Sequence, residues 1–289
     1  MKSIEVKTIL TGNHGTGMNV YRGCTHGCIY CDSRSACYHT PVPFEDIEVK
    51  KNAVELLDSA LRSKRRKCMI GTGSMCDPYM PCEKTLKITR GCLEVIDRHG
   101  FGATVLTKSN LVLRDFDLLK KINSKTKAVL QMTLTTGDDG LCRKIEPNVC
   151  PTSERFRVLM EAKKESIPTV VWLTPFLPYI NDTKENIMEL LEMCAKASVR
   201  GIVIFGFGLT LRDGNREYFY KSLDEKFPGL KDRYINQFGT RYEVSRPESD
   251  SMYPMVRRFC MDNKILYRPD DTFAYLNRFE EKDVQLTLF

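Results

Sequence analysis

The stretch Tyr21-Arg22-Gly23-Cys24-Thr25-His26-Gly27-Cys28-Ile29-Tyr30-Cys31 places three cysteines on one short segment with the spacing C-x3-C-x2-C. Cysteine thiolates are the usual protein ligands of iron–sulfur clusters, so three of them on one tight loop suit three corners of a cubane. The remaining iron would keep an open position for a small molecule, as a catalytic zinc does. Gly23 and Gly27 allow the backbone to wrap closely around such a group.

A zinc site is the alternative interpretation of this segment. Zinc prefers four ligands, often in paired C-x2-C groups, and Cys37 and His39 follow closely enough to complete a set. We expect Cys24, Cys28 and Cys31 to be metal ligands, with one [4Fe–4S] cluster as the first interpretation.

The chain as a whole has 289 residues, a net charge of +7 and twelve cysteines. This length suits one large α/β domain rather than a small module stapled by disulfides. No apolar run of about 18 residues predicts a membrane span, and the first residues lack the apolar core of a signal peptide. We therefore expect a cytoplasmic protein with no membrane partner, whose mild positive charge permits a polyanionic partner without requiring one.

Short apolar runs alternate with longer amphipathic segments from about residue 15 to residue 210. This alternation predicts βαβ units around a parallel sheet, because each parallel strand needs a crossover that a helix supplies. We count about six such units, fewer than a complete barrel of eight requires. Strands are predicted at 67–71, 103–107, 128–135, 169–173 and 201–207, and helices at 85–98, 115–122, 152–164 and 184–197.

The predicted fold class is therefore α/β, with residues 1–210 forming a partial (β/α)6 TIM-like barrel that carries the cysteine loop. Residues 211–279 show weak periodicity and are interpreted as a C-terminal extension covering the barrel, and 280–289 as a tail. In such barrels the chemistry takes place at the carboxyl ends of the strands. Loops rich in glycine and polar residues fall at three of those ends, at 71–74, 107–110 and 135–139.

The cysteine motif, with an aromatic residue before its last cysteine, resembles the signature of the radical S-adenosylmethionine (SAM) superfamily. The resemblance implies that SAM binds the free iron of a [4Fe–4S] cluster. Once a low-potential donor such as flavodoxin or ferredoxin has reduced the cluster, SAM is cleaved to methionine and a 5′-deoxyadenosyl radical. That radical abstracts hydrogen from the substrate, while the protein binds, orients and shields the reacting groups. Oxygen sensitivity and anaerobic operation would follow.

Further segments resemble one branch of that superfamily, the spore photoproduct lyase-like proteins. The resemblance implies that Tyr30 lies beside the cluster and near the adenine, where it takes part in catalysis. Asp77, Lys108 and Thr133 would line the SAM pocket, with Lys108 paired to the SAM carboxylate. A surface lysine, a capping aspartate and a strand threonine are the ordinary alternatives. The resemblance covers roughly residues 15–210, with matching motifs at 19–28, 77–83, 107–115, 133–147 and 175–182.

The lyase of this branch uses a cysteine in the loop after its second strand as the hydrogen donor. Alignment on Asp77 places Ser74 at that position, in the cofactor pocket, and Cys76 two residues later. Because residues two apart in an extended segment share a face, Cys76 is our candidate hydrogen donor. A buried, inert thiol is the alternative. Asp32 occupies the position where the lyase has a tyrosine after its cluster motif.

The chain ends Gln285-Leu286-Thr287-Leu288-Phe289, which resembles the short motif by which bacterial repair and replication proteins bind the DNA sliding clamp. Gln285 would form a hydrogen bond at the rim of the clamp pocket. Leu288 and Phe289, with Leu286 in the same contact set, would supply apolar anchors. A terminal strand or a plug on the protein's own core is the alternative for so short a pattern.

The leading hypothesis is a lyase-type radical SAM enzyme that acts in DNA-lesion repair, with DNA as its substrate. A damaged base held in the barrel must first leave the duplex stack, which is less costly for a damaged base than for an intact one. Radical SAM modification of a peptide, an RNA or a small molecule is the first alternative. The second is a non-catalytic metal-binding protein that binds nucleic acid and does not cleave SAM.

Overall fold

The computed structural model describes residues 1–12, 15–40 and 43–282. Its strands are β1 (Lys2–Ile4), β2 (Leu10–Thr11), β3 (Gly17–Met18), β4 (Tyr21–Arg22), β5 (Glu48–Lys50), β6 (Met69–Thr72), β7 (Gly102–Thr107), β8 (Ala128–Thr133), β9 (Thr169–Trp172), β10 (Gly201–Val203), β11 (Gly208–Thr210) and β12 (Glu243–Ser245). Its α-helices are α1 (Ala53–Ser63), α2 (Glu83–Leu86), α3 (Ile88–Arg98), α4 (Phe116–Lys125), α5 (Asp139–Ile145), α6 (Thr152–Lys164), α7 (Lys184–Lys196), α8 (Asn215–Lys226), α9 (Leu230–Phe238), α10 (Pro247–Asp250), α11 (Tyr253–Asp262) and α12 (Pro269–Asn277).

The central sheet has the strand order β10-β9-β8-β7-β6-β3-β2. Six strands of this sheet are parallel to one another: β3, β6, β7, β8, β9 and β10. Strand β2 pairs antiparallel with β3 at the edge. The crossovers between successive parallel strands contain helices α1, α3, α4, α6 and α7. The predicted partial (β/α)6 barrel is confirmed.

The core lies between the sheet and its covering helices. Every residue of β8 is buried, as expected of a parallel strand that is covered on both faces. Helix α1 buries Ala53, Leu57 and Leu61, which recur every four residues and so form one apolar stripe. Each buried leucine stabilises the packing by about 1.5–3 kcal/mol relative to an exposed one.

The helix predicted at 85–98 is interrupted. Lys87 adopts a left-handed conformation, with φ 54° and ψ 28°, and separates α2 from α3. The buried carboxylate of Glu83 accepts hydrogen bonds from the amides of Ile88 and Thr89, both at 3.1 Å. These bonds satisfy two of the amides that a helix start leaves without partners, so Glu83 sets the start of α3.

The strand predicted through residue 207 is correct only to Val203. The chain turns at Gly206, which has a φ of 136°, a value that L side chains rarely adopt. It then enters β11, which pairs antiparallel with β12 in a separate two-stranded sheet. The predicted strand 128–135 likewise ends earlier, at Thr133.

The region after residue 210 is largely helical, which its weak periodicity did not predict. Five helices, α8 to α12, lie there. Leu266 extends the parallel sheet at its β10 edge, where its carbonyl accepts the Ile202 amide at 2.7 Å. Glu280 pairs with Lys127 at 3.0 Å, which ties the start of the predicted tail to the barrel. No helix in the described part of the chain is long and apolar enough to span a bilayer.

Candidate radical SAM site

The cysteine loop follows β4 and is held between two other segments. Cys24 and Cys28 are buried and Cys31 is half-buried. The Cys24 amide donates to the carbonyl of Phe44 at 3.0 Å, and the Ile29 amide donates to that of Ile145 at 3.0 Å. These bonds fix the loop between residues 43–47 and the end of α5.

Two glycines let the loop approach its neighbours closely. Gly23 has a φ of +76°, and a Cβ there would lie 2.4 Å from the Phe44 carbonyl oxygen. Gly27 has a φ of +68°, and a Cβ would lie 3.0 Å from the Asn148 side-chain nitrogen. A side chain at Gly23 would therefore force the backbone of the loop away from Phe44. That the two glycines wrap around a cluster stays a prediction.

The donor set fits an iron–sulfur cluster. All three cysteines are free thiols. Three thiolates on one loop would supply one ligand to each of three irons of a cubane. Zinc usually takes four ligands, and among the described residues no group of three or more Cys, His, Asp or Glu is placed to hold a metal ion. Cys37, which the zinc alternative would recruit, is exposed and instead lies 3.3 Å from an Arg212 nitrogen.

Positive charge surrounds the buried loop. Burial raises the pKa of the Cys28 thiol to about 12, and Lys108 and Arg155 act in the opposite direction. The thiolate is the form that binds a metal. The two cations therefore lie where they would stabilise the anionic ligand once iron is bound.

A buried network behind the loop orients Tyr30. The Tyr30 hydroxyl donates to Glu146, and Glu146 pairs with Arg155 at 2.6 Å, with both side chains fully buried. Arg155 also donates to the carbonyls of Thr133 at 3.1 Å and Cys150 at 2.9 Å. Burial alone would raise the pKa of Glu146, but Arg155 and Lys108 outweigh it and lower that pKa. Glu146 is therefore a buried carboxylate that holds the Tyr30 ring in place.

Sequence reasoning missed the role of this network. Arg155 occupies an amphipathic helix, where an arginine is ordinarily a solvated residue. Its burial follows from its contacts with Glu146 and with the end of β8, which lie outside its own helix. The one available signal was Glu146, which is a charged residue placed directly between Ile145 and Pro147.

A cavity of about 680 Å³ lies at the carboxyl ends of the parallel strands, where the fold predicts a ligand. Strand β11 forms part of its wall, and the extension contributes β12 and Tyr253. Four of the predicted cofactor residues, Tyr30, Ser74, Lys108 and Thr133, line the cavity together with Cys31.

Lys108 presents a positive charge to this cavity. Its ammonium nitrogen lies 5.9 Å from the centre of the Tyr30 ring, and no described residue accepts a hydrogen bond from it. Burial would lower the pKa of Lys108, but Cys28 and Glu146 outweigh that effect and the pKa is raised. The side chain is therefore a cation that is available to a carboxylate.

Asp77 lies behind the cavity wall. Its carboxylate accepts hydrogen bonds from the Lys108 amide at 2.8 Å, the Thr107 hydroxyl at 2.7 Å and the Tyr79 amide at 2.8 Å. It also lies 3.5 Å from His26 of the cysteine loop. Asp77 is not among the residues lining the cavity. It links the end of β7 to the cysteine loop and so positions Lys108.

Cys76 is also outside the cavity lining. Its thiol donates to the Tyr21 carbonyl at 3.2 Å, and burial raises its pKa to about 12. The expectation that Cys76 shares a face with Ser74 was wrong, because the chain bends over residues 74–76 and alternation holds only in an extended strand. The hydrogen-donor role of Cys76 stays a prediction.

Comparison with known proteins identifies the family. A sequence model of the radical SAM superfamily matches residues 18–194, more than half of the chain. The chain belongs to the radical SAM superfamily. Members use a [4Fe–4S] cluster and SAM, so the predicted cofactors are confirmed at the level of the family.

Relatives extend over most of this radical SAM chain. An uncharacterized protein of Mycobacterium tuberculosis is 28% identical over 284 residues, which cover 94% of this chain and 81% of the relative. An uncharacterized protein of Methanocaldococcus jannaschii is 32% identical over 174 residues, which cover 60% of this chain and 64% of the relative. A variant of spore photoproduct lyase with bound AdoMet and dinucleoside spore photoproduct has a TM-score of 0.65 at 11% identity, over 92% of this chain and 80% of that one. At this identity the likeness establishes a common fold.

The predicted clamp-binding residues Gln285, Leu286, Leu288 and Phe289 lie outside the described residues. The clamp contact therefore stays a prediction.

Proposed function

We propose that this radical SAM enzyme repairs a DNA lesion by lyase-type chemistry, with the damaged base in the 680 Å³ cavity. The observation that carries the proposal is the group of aromatic side chains that line the same cavity as Lys108. Trp172, Phe205 and Tyr253 line the wall, and Phe205 is 60% exposed. Enzymes that act on a flipped base hold it between aromatic or apolar side chains. The fold shared with a lyase that binds a dinucleoside lesion supports the same substrate class.

Within this proposal, Cys24, Cys28 and Cys31 hold the [4Fe–4S] cluster. Bound there, the cluster and SAM supply the hydrogen-abstracting radical that the superfamily uses. Lys108 pairs with the SAM carboxylate through a charge-assisted contact. Ser74 and Thr133 complete the cofactor side of the cavity.

The chain's own residues orient and shield the reacting groups. Glu146 fixes the Tyr30 ring at the cavity wall, where the ring can pack against the adenine. Asp77 holds the Lys108 backbone and the cysteine loop in one arrangement. Strands β11 and β12 form part of the cavity wall, and exclusion of water protects a reactive intermediate from side reactions.

Two partners belong to the same proposal. A low-potential donor such as flavodoxin or ferredoxin would supply the electron. The sliding clamp would recruit the enzyme to DNA through residues 285–289, since a short tethered motif raises the local concentration of its target.

The test is an anaerobic turnover assay. The protein is reconstituted with iron and sulfide, reduced with dithionite and supplied with SAM, with intact or UV-irradiated DNA. We expect release of 5′-deoxyadenosine that irradiated DNA stimulates and that Cys28→Ala abolishes. Lys108→Met is expected to weaken SAM binding about 10- to 100-fold, since hydrogen bonds to charged groups contribute about 1.5–3 kcal/mol.

The controls separate the parts of the proposal. Cleavage of SAM that is indifferent to intact and irradiated DNA would contradict the repair proposal and favour a peptide, RNA or small-molecule substrate. A fully loaded cluster that leaves SAM intact would contradict SAM cleavage as the activity of this chain and favour the non-catalytic alternative.

A further inference from the structure

A second cavity of about 770 Å³ lies beside the first. The two share Phe205 and Tyr253 as a common wall. The second cavity, which we name the side groove, lies between the end of β10, helix α11 and the start of α12. An extended ligand chain that leaves the first cavity past Phe205 would enter the side groove directly.

Exposed apolar side chains line the floor of the side groove. Phe205 is 60% exposed, and Met261 is 56% exposed. Phe205 is nevertheless fixed in place: its ring stacks on Phe273 at 6.0 Å and 17°, and meets the edge of Trp172 at 5.7 Å. A ring that is held rigidly and open on one side is the kind of platform on which a base of single-stranded nucleic acid stacks.

Positive charge surrounds this floor. Arg257, Arg258 and Arg268 line the side groove, and Asp262 is the one acidic residue among its described lining residues. Arg268 lies 3.7 Å from Asp271, in an exposed ion pair at the edge of the groove. Asp262 is paired with Arg258 at 2.9 Å. Arg257 forms no ion pair with any described residue. The groove therefore presents an excess of positive charge beside an aromatic platform.

We infer that the side groove binds the nucleotides next to the reacting one on a single DNA strand. Phe205 stacks on a neighbouring base, and Arg257 and Arg268 contact the phosphates on either side of it. The inference rests on the proposed function, because it places the reacting nucleotide in the first cavity. An acidic peptide would pair with the same arginines, but it has no base to place on the open ring of Phe205.

The test measures binding rather than turnover. Fluorescence anisotropy follows a short labelled single-stranded oligonucleotide bound to the reconstituted full-length protein at several salt concentrations. We expect Phe205→Leu to weaken binding roughly 5- to 150-fold, as loss of one base–aromatic stack does. Phe205→Trp restores it. Arg257→Ala is expected to lower the slope of log K against log salt by about 0.7, the value for one phosphate contact on a single strand.

Arg65→Ala is the matched control. Arg65 is exposed and lies in the basic run after α1, so this variant removes the same charge at a distance from the groove. A melting curve for each variant shows that the fold is retained.

The outcomes separate the inference from the proposed function. Phe205 lines both cavities, whereas Arg257 lines only the side groove. Oligonucleotide binding that Arg257→Ala weakens no more than Arg65→Ala, with an equal salt slope, would therefore overturn the side groove and leave the repair proposal standing. A wild-type protein that binds no oligonucleotide would overturn both. An acidic peptide that competes equally for the groove, with no difference between Leu and Trp at position 205, would overturn the assignment to nucleic acid.

Discussion

At the scale of single residues, Gly23 shows how little freedom the cysteine loop has. A Cβ at this position would lie 2.4 Å from the carbonyl oxygen of Phe44, and the residue has a left-handed φ that costs an L residue about 1–2 kcal/mol. We expect Gly23→Ala to displace the loop and to lower the iron and sulfide content after reconstitution. Iron and sulfide analysis with the absorbance of the cluster measures this.

Gly100 provides a control for that prediction. It also has a left-handed φ, of +64°, but a Cβ there would have nothing within 4 Å. Gly100→Ala should therefore lower the free energy of unfolding by about 1–2 kcal/mol and leave cluster content unchanged. Equal loss of iron in both variants would show that general destabilisation, rather than the contact with Phe44, is responsible.

The buried ion pair of Glu146 and Arg155 is a second feature at the scale of single residues. Both side chains are fully buried, so removal of one charge leaves the other unpaired in a medium of low polarity. We expect Glu146→Gln to lower the free energy of unfolding by about 3 kcal/mol or more. Urea denaturation of the variant and the wild type gives the difference.

Two further variants test the cause. Replacing both partners, with Glu146→Gln and Arg155→Met, removes the unpaired buried charge. The double variant should therefore recover part of the lost free energy of unfolding. Glu165→Gln breaks an exposed ion pair with Lys120 and should change stability little. If the double variant loses as much free energy of unfolding as the two single variants lose together, the charges of Glu146 and Arg155 do not interact.

At the scale of elements, the break between α2 and α3 is built on a strained residue. Lys87 adopts the left-handed conformation, which glycine takes without steric cost. We expect Lys87→Gly to keep or to raise the free energy of unfolding, by up to about 1 kcal/mol, because relief of strain opposes the added freedom of the unfolded chain.

The comparison variant is Lys84→Gly, in α2 itself. Glycine inside a helix costs about 1 kcal/mol, so the two substitutions should move the thermal midpoint in different directions. A similar loss of stability in both would mean that Lys87 contributes through its side chain rather than its backbone.

Local signals predicted most elements of the barrel. Helix α6 has the bounds that its periodicity gave, because its apolar positions recur at helical spacing. The break at Lys87 could not be predicted, since it depends on the Glu83 carboxylate folding back on α3. The candidate site was likewise predictable only in part. Spacing alone located the cysteine loop, whereas the bend that turns Cys76 away is a tertiary feature.

At the scale of the whole molecule, the cysteines are distributed through the core rather than joined. All twelve are free thiols, and seven of them are buried: Cys24, Cys28, Cys76, Cys92, Cys142, Cys194 and Cys260. Burial raises the pKa of each of these thiols, as it disfavours the thiolate. The folded state therefore holds protons that the unfolded chain releases in alkaline solution.

Stability should consequently fall as the pH rises above the ordinary pKa of a thiol. Cys76 has a pKa raised from 9.0 to about 12. Below pH 9 both states are protonated and the contribution is fully present. Between pH 9 and 12 the unfolded state binds fewer protons than the native state, so the free energy of unfolding decreases by up to about 1.4 kcal/mol per pH unit for this one group.

Cys76→Ala should flatten that decline by the same amount, whatever its effect on stability at neutral pH. Urea denaturation at several pH values from 8 upwards, in the presence of a thiol reductant, measures the slope. Cys37→Ala is the control, because Cys37 is exposed and water solvates it in the folded and the unfolded chain alike. Parallel slopes for the wild type and both variants would mean that water reaches Cys76 in the native state, and the thiol would then be accessible to a ligand in the neighbouring cavity.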